Sequence, residues 1–388
     1  MKLFFKLISL SFLANFIIFS SHAEISLSGY QEFFAGSADQ TRDTAVDVST
    51  GPTTTGGANK SFGGFSNGTY TRLVAEATTT LDSGIEVTGI LTMSKDADSG
   101  GDNDNESVSV DQNDISFSGA FGTISFGQTG SAGSVMHNRA TTLPPTAEPD
   151  GAVIAHFYNG GSGTYGAHDE AGYANDAMKI RYMSNTYEGF SIGLAHTPNL
   201  NADGANASKI DQNSCSVADI QGHKCYTDMN EVILAYSGDF DGIGISATYG
   251  YMVGNTNIRA GIMYEDLEAT TYTLGVTYGG ATIHYKNNDM EDSGQVTTEI
   301  DAGDTSGDAL CGVYGIGNFS IGACKVETSY NETGQSVSNG STTDLIGVGY
   351  NLGGGVVIET AYASIEEKDN GVVDTEVDLI MTKLSFGF

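Results

Sequence analysis

YTRLVAEATTTLDSGIEVTGILTMSKD, residues 70–96, is the stretch that decides the fold. Placing Asp82-Ser83-Gly84 at a turn, with Gly84 in the left-handed conformation, pairs the two arms in register. One face then carries Leu73, Ala75, Ala77, Thr79 and Leu81 against Ile85, Val87, Gly89, Leu91 and Met93. The other carries Arg72, Glu76, Thr78 and Thr80 against Glu86, Thr88, Thr92 and Ser94. Period-two alternation is a strand signal, and here it separates an apolar face from a water-loving one. A soluble sandwich would need a second sheet to cover the apolar face, whereas a membrane barrel leaves that face to lipid.

The same hairpin recurs along the chain. Ile115, Phe117 and Gly119 face Ile124 and Phe126 across Phe121-Gly122, and Ile180 and Tyr182 lead to Phe190, Ile192 and Leu194 across Glu188-Gly189. Val232, Leu234 and Tyr236 lead across Gly242 to Ile243, Ile245, Ala247 and Tyr249. Tyr272, Leu274, Val276 and Tyr278 lead across Gly279-Gly280 to Ile283 and Tyr285. A cysteine-bearing hairpin turns at Gly317-Asn318, and Leu345 to Leu352 turns at Gly353-Gly354-Gly355 into Val356 to Ser364. A first strand over Ile25 to Ala35 and a last over Val377 to Phe388 bring the count to sixteen, even as a closed antiparallel barrel prefers. In the last strand Ile380, Thr382, Leu384, Phe386 and Phe388 alternate with Met381, Lys383, Ser385 and Gly387, and pairing it with residues 25–35 removes both sheet edges. The fold class expected is all-β, a 16-stranded antiparallel transmembrane β-barrel.

Residues 1–23 read as an export signal: Lys2 and Lys6, an apolar run from Leu7 to Phe19, then Ser21-His22-Ala23 for cleavage. Residues 24–388 form one barrel domain on this reading. No apolar run after Ala23 is long enough for a helical span, so any crossing must use strands. The composition agrees, with 52 glycines, 5 prolines, no tryptophan and 18 Phe plus 19 Tyr. The formal charge of −32 becomes −34 without the two signal lysines, which argues against a nucleic-acid partner. Most of the acid falls in Asp/Gly/Asn/Ser-rich stretches suited to outer loops, where it attracts cations.

Four cysteines in an exported chain suggest disulfides. With Gly317-Asn318 at the turn, Cys311 and Cys324 fall opposite each other at a non-hydrogen-bonded position, where a bridge fits. Cys215 and Cys225 would close a short loop in a polar stretch.

These segments resemble the general porins of Gram-negative outer membranes, most nearly their alphaproteobacterial branch. The likeness is carried by Ile25-Ser26-Leu27-Ser28-Gly29, by Thr78 to Glu86, by Ile115 to Gly127 and by Leu384-Ser385-Phe386-Gly387-Phe388. It implies a homotrimer among outer-membrane lipid and lipopolysaccharide, short periplasmic turns, long outer loops, and a third loop folded into each barrel as a constriction. About fifty residues separate Gln128 from Lys179, too many for an ordinary connection. In this family the folded loop sets carboxylates against basic wall residues. Glu148 and Asp150 stand where those carboxylates are implied, and Arg72 matches a basic position of the second strand. Lys179 and Arg181 point inward by parity with Ile180 and Tyr182, and Arg139 either joins the constriction or tethers the loop. Only 14 Lys plus Arg remain after subtracting the two signal lysines from 16, so a dense arginine ladder is not expected and cation preference is.

Asp96, Asp98, Asp102, Asp104 and Glu106 partly match a calcium loop, but Gly100 vacates one ligand position, so a solvated outer loop competes with bound calcium. His137, His156 and His168 fit no zinc spacing, and no nucleophile–base pair marks an enzyme. No other metal or cofactor is expected. The function expected is passive diffusion of small hydrophilic solutes and ions. A substrate-specific channel, or a surface adhesin anchored by the barrel, are the alternatives.

Overall fold

The computed structural model describes residues 23–42, 60–95, 108–137, 140–142, 145, 157, 177–199, 226–255, 265–291, 305–330, 339–369 and 371–388. Sixteen strands stand in order among them. They are β1 Glu24–Arg42, β2 Lys60–Thr80, β3 Glu86–Lys95, β4 Ser109–Gly119, β5 Gly122–Gln128, β6 Met178–Met183, β7 Phe190–Asn199 and β8 Thr227–Phe240, followed by β9 Ile243–Asn255, β10 Leu267–Tyr278, β11 Ala281–Glu291, β12 Thr305–Ile316, β13 Phe319–Tyr330, β14 Asn339–Gly353, β15 Val356–Asp369 and β16 Val372–Gly387. Each pairs antiparallel with its sequence neighbours, and β16 pairs with β1 to close the barrel.

The deciding hairpin forms in the expected register, with Leu73 opposite Met93, Ala75 opposite Leu91 and Thr79 opposite Val87. Gly84 turns it at φ 80°, its amide donating to the Leu81 carbonyl at 2.8 Å. Cys311 and Cys324 oppose each other and are joined by a disulfide. One turn differs by a residue. Gly119 pairs with Gly122, so Ala120 and Phe121 make the bend and Gly122 already belongs to β5. At φ 102°, a Cβ on Gly122 would overlap the Met183 carbonyl of the next strand, which explains the glycine there.

The strands also outrun their apolar alternation. β1 has 19 residues and β2 has 21, against the ~9–11 that cross a hydrocarbon layer. The alternation marks only the lipid-contacting part, and the extensions rise at the end bearing the long connections. In β8, Val232 and Leu234 are exposed while Met229, Glu231 and Ile233 are buried, so one parity faces outward and the other inward. The buried inward side chains of β1 and β12 to β16 form a cluster that includes Phe34, Leu345, Ile365, Leu379 and Met381. Residues 1–22, the carboxyl groups of Asp96, Asp98, Asp102, Asp104 and Glu106, and Cys215 and Cys225 all lie outside the described residues.

Candidate functional site: the barrel interior

Toward the short turns, the inward face is built of hydroxyls and charges. Thr78 and Thr88 pair across β2 and β3 at 3.2 Å, Ser118 and Thr123 across β4 and β5 at 2.9 Å, and Thr277 and Thr282 across β10 and β11 at 3.2 Å. Threonine and serine recur there because their spare lone pairs suit a wet surface, while the alternate positions turn Ile, Leu and Tyr outward. Glu32, Arg72, Glu76, Glu86, Glu359 and Lys383 share the inward parity on β15, β16 and β1 to β3. Lys383 lies 3.3 Å from both Glu32 and Glu359, and Ser385 donates to Glu32 at 3.0 Å.

Toward the long connections, described parts of the 129–177 connection pack against the same inner face. Helix α1 (Ala132–Met136) begins at Ser131, whose Oγ accepts from the Ser134 amide at 3.0 Å. The buried Glu231 carboxylate accepts from the Ala132 and Gly133 amides, both at 2.8 Å. A helix start leaves amides without partners and carries partial positive charge, so an inward carboxylate at that spot answers both needs. Ala132 and Met136 pack on Ala195 and Ile233. A Cβ on Gly193 would crowd Met136 Sδ at 2.5 Å, so glycine there admits the helix.

Beyond the helix, His137 Nδ1 lies 2.5 Å from Thr248 Oγ1, which lies 2.6 Å from Thr273 Oγ1. Burial, aided by the nearby Lys286 ammonium, pulls the His137 pKa down to about 3, so its imidazole is neutral. The 3-10 turn Ala140–Thr142 meets β11 and β12, and a Cβ on Gly347 of β14 would overlap the Pro145 carbonyl. Phe157 packs edge-on against Phe34 of β1, their ring centroids 6.0 Å apart. Described residues of this connection thus touch β7 to β9, β11, β12, β14 and β1.

The inward cations divide by partner. Lys179 is only 3% exposed; its ammonium donates to the Thr129 carbonyl and, at 2.7 Å, to that of Ala177. Arg181 Nη1 donates to the Gly130 carbonyl at 2.7 Å and Nη2 to Ser125 Oγ at 3.4 Å. Both point inward as parity expects, and both fasten carbonyls that the chain turns away from the ladder as it leaves β5. Lys286 is buried at 1% exposure. Arg72 is half-buried on the wall, and its guanidinium makes no hydrogen bond or ion pair among the described residues. Glu148, Asp150 and Arg139 lie outside the described residues, as do His156 and His168.

Glu231 and the Glu32–Lys383–Glu359 group were not picked out from sequence, and His137 was weighed there only for a zinc spacing that it does not fit. For Glu231 a signal existed: an acid with inward parity between Met229 and Ile233 must find donors when buried. Among the described residues no group of His, Cys, Asp and Glu is arranged to hold a metal ion.

The sequence profile of the Gram-negative porins matches residues 11–370. No curated protein sequence matches the chain. Solved structures share the fold at low identity. The anion-selective porin from Comamonas acidovorans is 14% identical, with 94% of this chain and 100% of that one covered and a TM-score of 0.56. OmpF of Salmonella typhi, solved in complex with daunomycin, is 12% identical, with 96% and 99% covered and a TM-score of 0.59. OmpT of Vibrio cholerae, a trimer, is 13% identical, with 94% and 99% covered and a TM-score of 0.56. A profile matched over nearly the whole length and a closed barrel of sixteen strands agree, and the chain belongs to the Gram-negative porin family of the outer membrane.

Proposed function

We propose that this porin is a trimeric, water-filled diffusion channel for small hydrophilic solutes and ions, with a preference for cations. The observation that carries this reading is the inner face near the short turns, where hydroxyl pairs and charged groups line the wall while the outer face is apolar. Such a wall keeps water hydrogen-bonded inside the barrel, as a diffusion channel requires. Cation preference is supported by the sequence charge of −32 and by the pairing of inward cations. Lys179 and Arg181 are bound to backbone carbonyls and Lys383 is shared by two carboxylates. A trimer is supported by the likeness to OmpT of Vibrio cholerae, solved as a trimer. That protein shares the closed barrel over 94% of this chain's length. Single-channel conductance of the refolded mature protein, with a salt gradient, tests the reading. Openings in groups of three with a cation-selective reversal potential are expected. A correctly folded barrel without conductance would refute the channel, and an anion-selective potential would refute the preference alone.

A further inference from the structure

We propose that the inner wall where β15, β16, β1 and β2 meet is a subsite for small zwitterions, solutes carrying an ammonium group and a carboxylate. The inference rests on the channel reading above and adds a solute class to it. Three strand registers gather the groups. Tyr30 lies opposite Arg72, Glu32 opposite both Tyr70 and Ser385, and Glu359 opposite Lys383. All of them share the inward parity of Phe34, while Leu73 and Phe33 take the outward one.

Three features of this patch answer the two ends of a zwitterion. The Tyr30 and Tyr70 rings stand 5.6 Å apart and tilted by 31°, a half-buried aromatic pair on the inner wall. An ammonium or quaternary ammonium within ~6 Å of such a ring is attracted by its negative face. Beside the rings, Glu32 and Glu359 share the single Lys383 ammonium, so the group as a whole retains negative charge toward a cationic end. Directly opposite Tyr30, Arg72 offers a planar fork of donors that makes no hydrogen bond or ion pair among the described residues, and carboxylates fit that fork in bidentate fashion. Arg72 and Glu32 stand on one diagonal of the square they form with the two tyrosines, which stand on the other. Opposite charges beside aromatic faces thus match a solute whose own charges are a few bonds apart. Elsewhere in the described interior the cations are bonded to carbonyls or buried, so this is the stretch of wall where an uncommitted guanidinium adjoins aromatic faces. A neutral polyol has no charge to present to either end and serves as the comparison.

The experiment is current recording through the refolded channel in a planar bilayer, with glycine betaine added to one side and erythritol as the neutral control. Wild-type channels are expected to show concentration-dependent interruptions with glycine betaine and none with erythritol at the same concentration. Arg72→Gln and the pair Tyr30→Ala, Tyr70→Ala should each weaken the apparent affinity about three- to tenfold. Tyr30→Phe with Tyr70→Phe keeps the rings and should retain most of it, which separates the aromatic faces from a general loosening of the wall. Equal response to glycine betaine and erythritol in a conducting channel overturns the subsite and leaves the channel reading intact. A folded barrel that carries no current overturns both.

Discussion

Replacing Glu231 with alanine would remove the acceptor of two buried amides at once. The carboxylate holds the Ala132 and Gly133 N–H groups at 2.8 Å each, and Ser131 Oγ accepts only from Ser134, so nothing described takes its place. Each buried donor left without a partner costs about 1–3 kcal/mol. The two share one side chain and do not add fully, so we take about 3 kcal/mol for the pair. That weakens docking of helix α1 on the wall by a factor of about 100. The barrel ladder does not pass through this side chain, so thermal unfolding of the whole protein should barely move. The readout is amide hydrogen exchange over 131–137 in detergent, where local opening should speed exchange by about two orders of magnitude. Glu231→Gln keeps one acceptor oxygen and should produce about a tenfold change. A correctly folded Glu231→Ala barrel whose exchange in this segment matches wild type would show that the carboxylate does not hold the helix.

Acidification should loosen the same segment. The docked imidazole of His137 has its pKa lowered to about 3 from 6.5, so the undocked form takes up protons first. Docking is therefore at full strength above pH 6.5 and weakens as the pH falls from 6.5 toward 3, by up to about 1.4 kcal/mol per pH unit. Exchange over 131–137 measured at pH 7.5 and pH 5 tests this, and His137→Gln should flatten the difference. Lys383→Gln leaves Glu32 and Glu359 unneutralised on the wall, and the reversal potential in a salt gradient should shift further toward cations. Gly347→Val drives a side chain into the Pro145 carbonyl, so the connection must move off β14 and single-channel conductance should change while the barrel stays folded.

The barrel was legible because lipid and water impose opposite demands on alternate residues. Leu73 to Leu81 against Ile85 to Met93, and Cys311 against Cys324, could be paired by parity and turn chemistry alone. Parity also aimed Lys179 and Arg181 inward. Their partners could not be read, since a carbonyl freed where the chain leaves β5 has no side-chain signature in the sequence. Glu231 was missed for a related reason. Its partner is a helix of five residues, too short to announce itself by periodicity. The outer extensions of β1 and β2 escaped notice because lipid no longer dictates their alternation there. The connection itself packs on strands far from it in sequence, as Pro145 does on Gly347 of β14.

The seam between β1 and β16 joins residues as far apart as Glu32 and Ser385, 353 positions along the chain. Every other strand pair joins neighbours in sequence and can zip as soon as both are available. The seam cannot. Until the final strand has been made and delivered, the first one presents an unpaired edge that any other extended chain could add to. Biogenesis of this protein is thus timed by its slowest, longest-range contact, and any interruption before β16 leaves a sticky, open sheet instead of a smaller barrel. Escort across the aqueous space between export and insertion is a requirement set by topology, independent of the pore's selectivity.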